Sequence, residues 1–592
     1  MPKKILLIVF IFIYSTVIAQ KIKVTTGKTS SIQTALEEKL DSIFSSFNKS
    51  TPGVAVTVLQ NGKVWAKKAY GMASLEHNAP FTHNTVVRIN YSEGREFISI
   101  ATALMEKEGL LNINDRVRKY FPELPAWSEQ VTIQHLLNHS SGFIDEWSAF
   151  ELTQASLANR VDRSQFLQLL YDQPLPEVEP GKGYMYSNSD FGLLRLILEK
   201  ASGEDLANYL SRKIFNPLGM SSTLLLNDKE QVIANHAFLY NAKTLGKYAL
   251  WLRAKTSPGA NYHILTSAND LEKWAAIHAD ETSFISKAVK RLEQDARPIP
   301  VLEGINYAFG FKRDKSGNYE TIMHRGIHGE TYITSVPAKN LTIICLSNLR
   351  LPNGHNVNAI IRHVLQIKDT AKPEQRIMPA TPIHFRKEDL TKYAGTYRWL
   401  KQSNFESSME NIKQTELEAR GDSLYWLYES DNSIGLVPVG DGIFKDPDYS
   451  TWINFSQPHP DSLMYAELIN HFHDSYEITG MKKDPTPKTK YSRDHLTKLT
   501  GIYYSKHLDY YWTIVLDKED RLIVKRPTIS EKVLQPGPGE EFTIRIEYFE
   551  DFGADAWIRF HLNNIGEATH FTIRHPRLMH HRFDKVEVNF IK

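Results

Sequence analysis

The chain has 592 residues, 42% hydrophobic and 11% aromatic, with a formal net charge of +2. That length exceeds what one hydrophobic core covers, so about two to four domains are expected, and the apolar content excludes a disordered chain. The near-neutral charge argues against a nucleic-acid partner, which would want a concentrated basic surface.

Lys3 and Lys4 precede an apolar run over residues 5–14, and Ala19 offers a small residue before Gln20. This is the pattern of a secretory signal peptide, 1–19, cleaved near Ala19, with an uncleaved N-terminal anchor as the alternative. No later segment reaches the ~18 apolar residues of a membrane span, so the mature chain is expected to be soluble and secreted or periplasmic.

Residues 54–59 and 64–70 alternate and are β-rich around Asn61-Gly62, which predicts a hairpin. In residues 88–111, Phe97, Ile98, Ile100, Ala101, Leu104 and Met105 recur at helical spacing, and Gly109 marks the stop. A second apolar helix is predicted over 191–198. Residues 307–311, 331–335 and 341–346 read as late strands. The single cysteine, Cys345, lies in the last of these; it cannot form an internal disulfide and offers no zinc cluster. Helices set between early and late strands predict an α+β sandwich with one antiparallel sheet over 30–368.

Two proline-rich polar stretches, 369–385 and 483–492, read as linkers. The segments they bound, 386–482 and 493–592, repeat one another. Leu390 to Tyr397 (LTKYAGTY) matches Leu496 to Tyr503 (LTKLTGIY), and Asp422-Ser-Leu424 matches Asp520-Arg-Leu522. Trp452 and Trp557 sit in matching runs further on. Short β-branched and aromatic runs between turn residues predict two small all-β barrels or sandwiches.

Three segments carry candidate chemistry. Ser92 and Arg95 stand three apart at a helix start, on one face and beside free backbone amides that favour developing negative charge. Tyr186-Ser-Asn188 follows the turn at Pro180-Gly181 and opens a helix, so a phenol and a carboxamide can enter one cleft. His324-Arg-Gly326 precedes Ile327, and its glycine admits close approach of a substrate backbone. The duller readings are a turn at 186–188, a loop fixed by His135, His139 and Ser140, and surface pairs at His471/His473 and His580/His581. His324 and His328 lie on a strand and turn rather than a helix, which argues against a metal site. No Gly-x-Ser-x-Gly elbow and no phosphate-cradling loop is present. No cofactor is implied.

With these markers in order, residues 35–365 resemble the serine β-lactamase and penicillin-binding-protein superfamily, in the branch with class C β-lactamases, esterases and D-aminopeptidases. The markers are Pro52-Gly53, Asn61-Gly62, Tyr70-Gly71, the run from Thr132 to Gly142, Pro180-Gly181, Tyr186-Ser-Asn188, Asn216-Pro-Leu-Gly-Met220, Asp270, His324-x-Gly326 and Ser347-Asn348. The C-terminal repeats are similar to the lipocalin-like β domains of the D-aminopeptidase branch. The resemblance implies a metal-free acyl-enzyme mechanism. Ser92 would be the nucleophile, Tyr186 the proton shuttle, and Asn188 and His324 substrate binders. The amides of Ser92 and Ile327 would form the oxyanion hole. The substrate would be a small peptide, a D-amino-acid amide or an ester.

The family has Ser-x-x-Lys where this chain has Ser-x-x-Arg. Counting from the helix places Ser92 in the nucleophile slot, and counting from Val87-Arg-Ile places Tyr91 there. A lysine of pKa ~10.4 gives up its proton at neutral pH for about 4–5 kcal/mol, whereas an arginine needs roughly 8 kcal/mol. Arg95 therefore cannot be a base. Tyr186 is expected to take the Ser92 proton while Arg95 holds the phenolate. The alternative is a catalytically impaired pseudo-hydrolase that binds peptide or cell-wall fragments.

Overall fold

The computed structural model describes residues 31–587 except 90–91, 154–161, 227–230, 245–246, 251–262, 280–281, 284–286, 289–298, 303–304, 326–330, 351–353, 368–385, 400–413, 428–432, 446–450, 458–463, 473–474, 484–490, 527–528, 538–540, 550–551 and 576–577. The signal-peptide segment 1–19, the linker 369–385 and most of 483–492 lie outside the described residues.

The first domain is built on an eight-stranded antiparallel sheet. Two strands come from the front of the domain, β1 (Val54–Gln60) and β2 (Lys63–Tyr70). Six come from its end: β3 (Ile299–Leu302), β4 (Ile305–Ala308), β5 (Phe311–Ser316), β6 (Tyr319–Arg325), β7 (Tyr332–Val336) and β8 (Leu341–Ser347). Their order is β3-β4-β5-β6-β7-β8-β1-β2, so the front hairpin joins the late meander through the β1–β8 ladder.

Strands β1 and β8 are buried on both faces, and their period-2 alternation deals residues to two cores. Val54, Val56, Val58, Ile343 and Cys345 face one apolar cluster with helices α1 (Ser31–Ile43) and, later in the chain, Gly354–Val364. Ala55, Leu59, Ile344 and Leu346 face the other, larger one. That second layer holds α2 (Ser92–Lys107), α3 (Ile133–Leu137), α4 (Glu146–Thr153), α5 (Arg163–Tyr171), α6 (Asn188–Ser202) and α7 (Ala268–Ala279). The expected Asn61-Gly62 turn is present, with φ of +52° and +71°. Asparagine and glycine tolerate that left-handed region, and its twist matches a hairpin. Gly109, just past α2, also has positive φ, at +74°.

Residues 307–311, expected as one strand, are instead a hairpin. Strand β4 stops at Ala308, β5 starts at Phe311, and Phe309 and Gly310 turn the chain with φ of +52° and +86°. The aromatic spacing there hid a two-residue turn whose glycine is the only cue.

The C-terminal part is mainly β, with a short helix, Lys387–Leu390 and Arg493–Leu499, leading into each of its two units. Eight strands from Gly395–Trp399 to Ser475–Lys483 pair in a closed barrel, and eight from Gly501–Ser505 to Leu578–Val586 pair in another. The sequence repeat reappears in bonds. Tyr397 Oη donates to the Tyr393 carbonyl at 2.9 Å, and Tyr503 Oη to the Leu499 carbonyl at 2.7 Å. In each copy a lysine from the last strand caps the same turn: Lys483 Nζ on Lys392 O and Lys585 Nζ on Lys498 O.

The two barrels differ in what they pack against. The first has a core of its own around Leu390, Tyr397, Leu424, Phe444 and Ile453. The second shares one continuous apolar cluster with the first domain. Trp512 Nε1 donates to the Leu152 carbonyl at 3.0 Å, and His507 Nε2 lies 3.0 Å from the Leu169 carbonyl. The His507 ring stacks on His581 at 5.3 Å, and His581 Nε2 is 3.7 Å from Glu177 Oε1. His581, expected at the surface, is therefore buried at 3% exposure between the barrel and the first domain. A strand residue pointing inward cannot be told from one pointing outward when the neighbouring domain is unknown. Among the described residues no helix is long and apolar enough to cross a membrane.

Candidate active site

Ser92 opens α2, and Arg95 follows within its first turn. The Ser92 side chain and residue Tyr91 lie outside the described residues. Arg95 is wholly buried, at 0% exposure. A buried guanidinium must find acceptors for its fixed fork of donors, because an uncompensated charge in the interior is costly. Arg95 Nη2 donates to Tyr186 Oη at 2.7 Å and to Asn188 Oδ1 at 2.9 Å. Arg95 Nη1 lies 3.2 Å from His139 Nε2. The guanidinium carbon also sits over the Tyr186 ring at 4.5 Å and the Phe191 ring at 4.9 Å. The expected Arg95, Tyr186 and Asn188 are thus brought together.

Asn188 is fixed from behind. It opens α6, and its backbone and side-chain nitrogens both donate to Asp145 Oδ1 at 2.8 Å. The other oxygen, Asp145 Oδ2, accepts from the Ser148 amide and hydroxyl, which caps the start of α4. One carboxylate therefore ties two helix N-termini together. The next residues interlock as well: Glu146 N donates to Ser189 Oγ at 3.0 Å, and that hydroxyl donates to Glu146 Oε2 at 2.7 Å. Tyr186 Oη, 3.3 Å from Asn188 Oδ1, closes the triangle with Arg95.

His139 meets the other terminal nitrogen of the guanidinium, and its ring packs on that of Tyr186 at 4.8 Å. Its φ is +51°, in the left-handed region that a residue with a Cβ enters at a cost of roughly 1 kcal/mol. The surrounding loop holds it there. Its carbonyl accepts from Met185 N at 2.8 Å, and the neighbouring Ser140 carbonyl accepts from Gly181 N at 2.8 Å. Its Nδ1 is 2.9 Å from Asp190 Oδ2, and Ser141 Oγ donates to the other Asp190 oxygen. The rings of Tyr184, Tyr186, Phe191 and Tyr307 surround the imidazole. The β4–β5 turn seals the top: a Cβ on Gly310 would lie 3.3 Å from Arg95 Cβ and from Ser99 Oγ.

Three carboxylates, Asp145, Glu146 and Asp190, are thus buried around one cation. Burial pushes the Asp190 carboxyl well above the usual carboxylate range, with the Ser141 hydroxyl and the Arg95 charge pulling it back. Burial, with the Asp145 charge beside it, pushes Glu146 up to about 8. At neutral pH Glu146 is then largely protonated, which relieves repulsion inside the cluster.

His324 lies on β6, one residue from its end, and its side chain is outside the described residues, as are Gly326 and Ile327. No motif in the sequence singles out Asp145 or Asp190, and His139 is expected there only to fix a loop. The available cue was an acidic residue two past Asn188 at the mouth of an otherwise apolar helix. Such a carboxylate needs a buried partner.

The family model described as Beta-lactamase matches residues 37–366. The chain is 29% identical over 273 residues to penicillin-binding protein 4* of Bacillus subtilis (strain 168), covering 43% of this chain and 58% of that one. It is 24% identical over 355 residues to protein flp of Staphylococcus aureus (strain MRSA252), covering 58% of this chain and 66% of that one. It thus spans about three-fifths of the length of these curated relatives. The fold is similar to that of the octameric penicillin-binding protein homologue from Pyrococcus abyssi, with a TM-score of 0.51 at 20% identity, over 76% of this chain and 99% of that one. With the matching model spanning more than half of its length, the chain belongs to the Beta-lactamase family of serine hydrolases.

Proposed function

We propose that the chain is a secreted or periplasmic hydrolase that cleaves a small peptide, a D-amino-acid amide or an ester through an acyl-enzyme on Ser92. The observation that carries this reading is the Arg95 contact to both Tyr186 Oη and Asn188 Oδ1, one turn after the serine that opens α2. Tyr186 enters as phenolate, held by the guanidinium, and takes the proton of the Ser92 hydroxyl as Oγ bonds to the substrate carbonyl carbon. The phenol returns that proton to the departing amine or alkoxide as the carbonyl–heteroatom bond breaks. Water then cleaves the ester by the same route. Arg95 supplies charge and donors and never releases a proton. Asn188 orients the substrate amide, and His324, Gly326 and Ile327 are the further substrate binders that the family resemblance implies.

The similarity to penicillin-binding proteins selects the probes. The purified chain is expected to be labelled covalently by a fluorophosphonate or a fluorescent penicillin. It is expected to hydrolyse at least one of nitrocefin, p-nitrophenyl esters and D-alanine p-nitroanilide. Ser92→Ala should abolish labelling, and Tyr186→Phe should slow acylation about 10²- to 10⁴-fold. Full activity in Tyr186→Phe would remove the phenol from the mechanism. Absence of labelling with reversible peptide binding would replace the hydrolase by a ligand-holding protein, the reading that the substitution of arginine for a titratable lysine favours.

A further inference from the structure

We propose that His139 and Asp190 are positioning residues for Arg95, a dyad that makes an arginine workable where the proposed mechanism needs a cation beside Tyr186. The inference rests on that mechanism for its purpose but not for its geometry.

The geometry fixes the proton positions. A guanidinium only donates, so His139 Nε2, 3.2 Å from Arg95 Nη1, must present a lone pair. A neutral imidazole with Nε2 bare carries its proton on Nδ1, and that N–H donates to Asp190 Oδ2 at 2.9 Å. The Ser187 amide also approaches Nδ1, at 3.4 Å, but this contact is long and secondary. Ser141 Oγ donates to the remaining Asp190 oxygen, so that carboxylate is filled by two donors and orients the ring. The order Ser141–Asp190–His139 thus ends on a guanidinium rather than on a nucleophile.

Arginine explains why the dyad is needed. Tyr186 and Asn188 both accept from Nη2. They leave the far arm of the fork, Nη1, to be oriented by something else. A lysine ammonium is a point donor with no second arm to orient. His139 supplies the acceptor and Asp190, bonded to Nδ1, fixes the ring, both wholly buried at 0% exposure. The left-handed backbone of His139 is maintained to deliver that nitrogen.

The test uses the full chain and two readouts. The first is the rate of fluorophosphonate acylation. The second is the titration of the Tyr186 phenol, followed as tyrosinate absorbance with Tyr186→Phe subtracted. Asp190→Asn and His139→Ala are expected to slow acylation about 10- to 100-fold. Both should move the phenol titration to higher pH, because the cation beside it is displaced. His139→Gln, which keeps an acceptor for Nη1, should recover most of the loss. In an Arg95→Lys background the same Asp190→Asn change should alter neither readout, which a merely structural role for Asp190 would not allow. The proposal is overturned if Asp190→Asn and His139→Ala leave the titration unchanged, or if Asp190→Asn is as damaging with lysine as with arginine. A wild-type chain that is never acylated, yet shows the Asp190-dependent titration, would sink the hydrolase reading and keep the dyad.

Discussion

Arg95 has contacts that a lysine could not make, and its neighbours set the pH behaviour of the core. Glu146 is the most exposed to test. Its folded-state value, pushed to about 8, lies above its unfolded value, so the native state holds a proton that the unfolded chain has lost. Stability from this group is full below pH ~4.5 and falls as pH rises toward 8. Glu146→Gln, which keeps the shape and the Ser189 contact but cannot ionise, is therefore expected to stabilise the first domain at pH 9 by about 4–5 kcal/mol. At pH 5 the two proteins should denature alike. Thermal or urea denaturation at the two pH values checks this, and equal curves at pH 9 would mean Glu146 is ionised at no cost. In the sequence, Arg95, Tyr186 and Asn188 were legible because each belongs to an ordered motif. Asp145, Asp190 and His139 were not, because they act through side chains that approach from 43 and 51 residues away, and no periodicity records that.

At the scale of elements, the site is a meeting of ends: the starts of α2, α4 and α6 and the β4–β5 turn. Asp145 joins two of them. Asp145→Ala removes the α4 cap and both bonds to Asn188, and should cost about 1–3 kcal/mol of stability. It should also slow acylation, since Asn188 loses its anchor; a variant destabilised but equally active would separate the cap from the site. Gly310→Ala tests the turn. Its φ of +86° and the 3.3 Å contacts its Cβ would make leave no room for relaxation without moving Arg95. A loss of roughly 1–2 kcal/mol is expected, together with slower acylation. The helices and the front hairpin were visible from apolar spacing and from Asn61-Gly62. The β4–β5 turn was missed because Tyr307, Phe309 and Phe311 alternate as a strand would, and one glycine was weak evidence against them.

At the scale of the whole molecule, the second barrel is docked through Trp512, His507 and His581 against α4, α5 and the loop at Glu177. Burial lowers the His507 value below that of a free imidazole, with the Leu169 carbonyl opposing. The unfolded or undocked state then binds protons more readily, so docking is favoured above pH ~6.5 and weakens as pH falls below it. Urea titrations followed by Trp512 fluorescence should show the barrel less tightly held at pH 5 than at pH 8. His507→Gln should flatten the difference, and a pH-independent transition in the native chain would exclude the histidine. The presence of two β units was readable from the repeat itself, whereas their closure into barrels and the docking were not: repeats report strands and turns, and the face that meets another domain leaves no period in the sequence.

The tyrosine and lysine locks recur in both barrels, but only the second merges its interior with the first domain. Twins with one architecture therefore have unequal dependence on their surroundings. In a scanning calorimeter the chain should not melt as three bodies: one endotherm belongs to the middle barrel alone, and another to the first domain and the far barrel together, whose cooperativity spans a gap of more than a hundred residues in the chain between them.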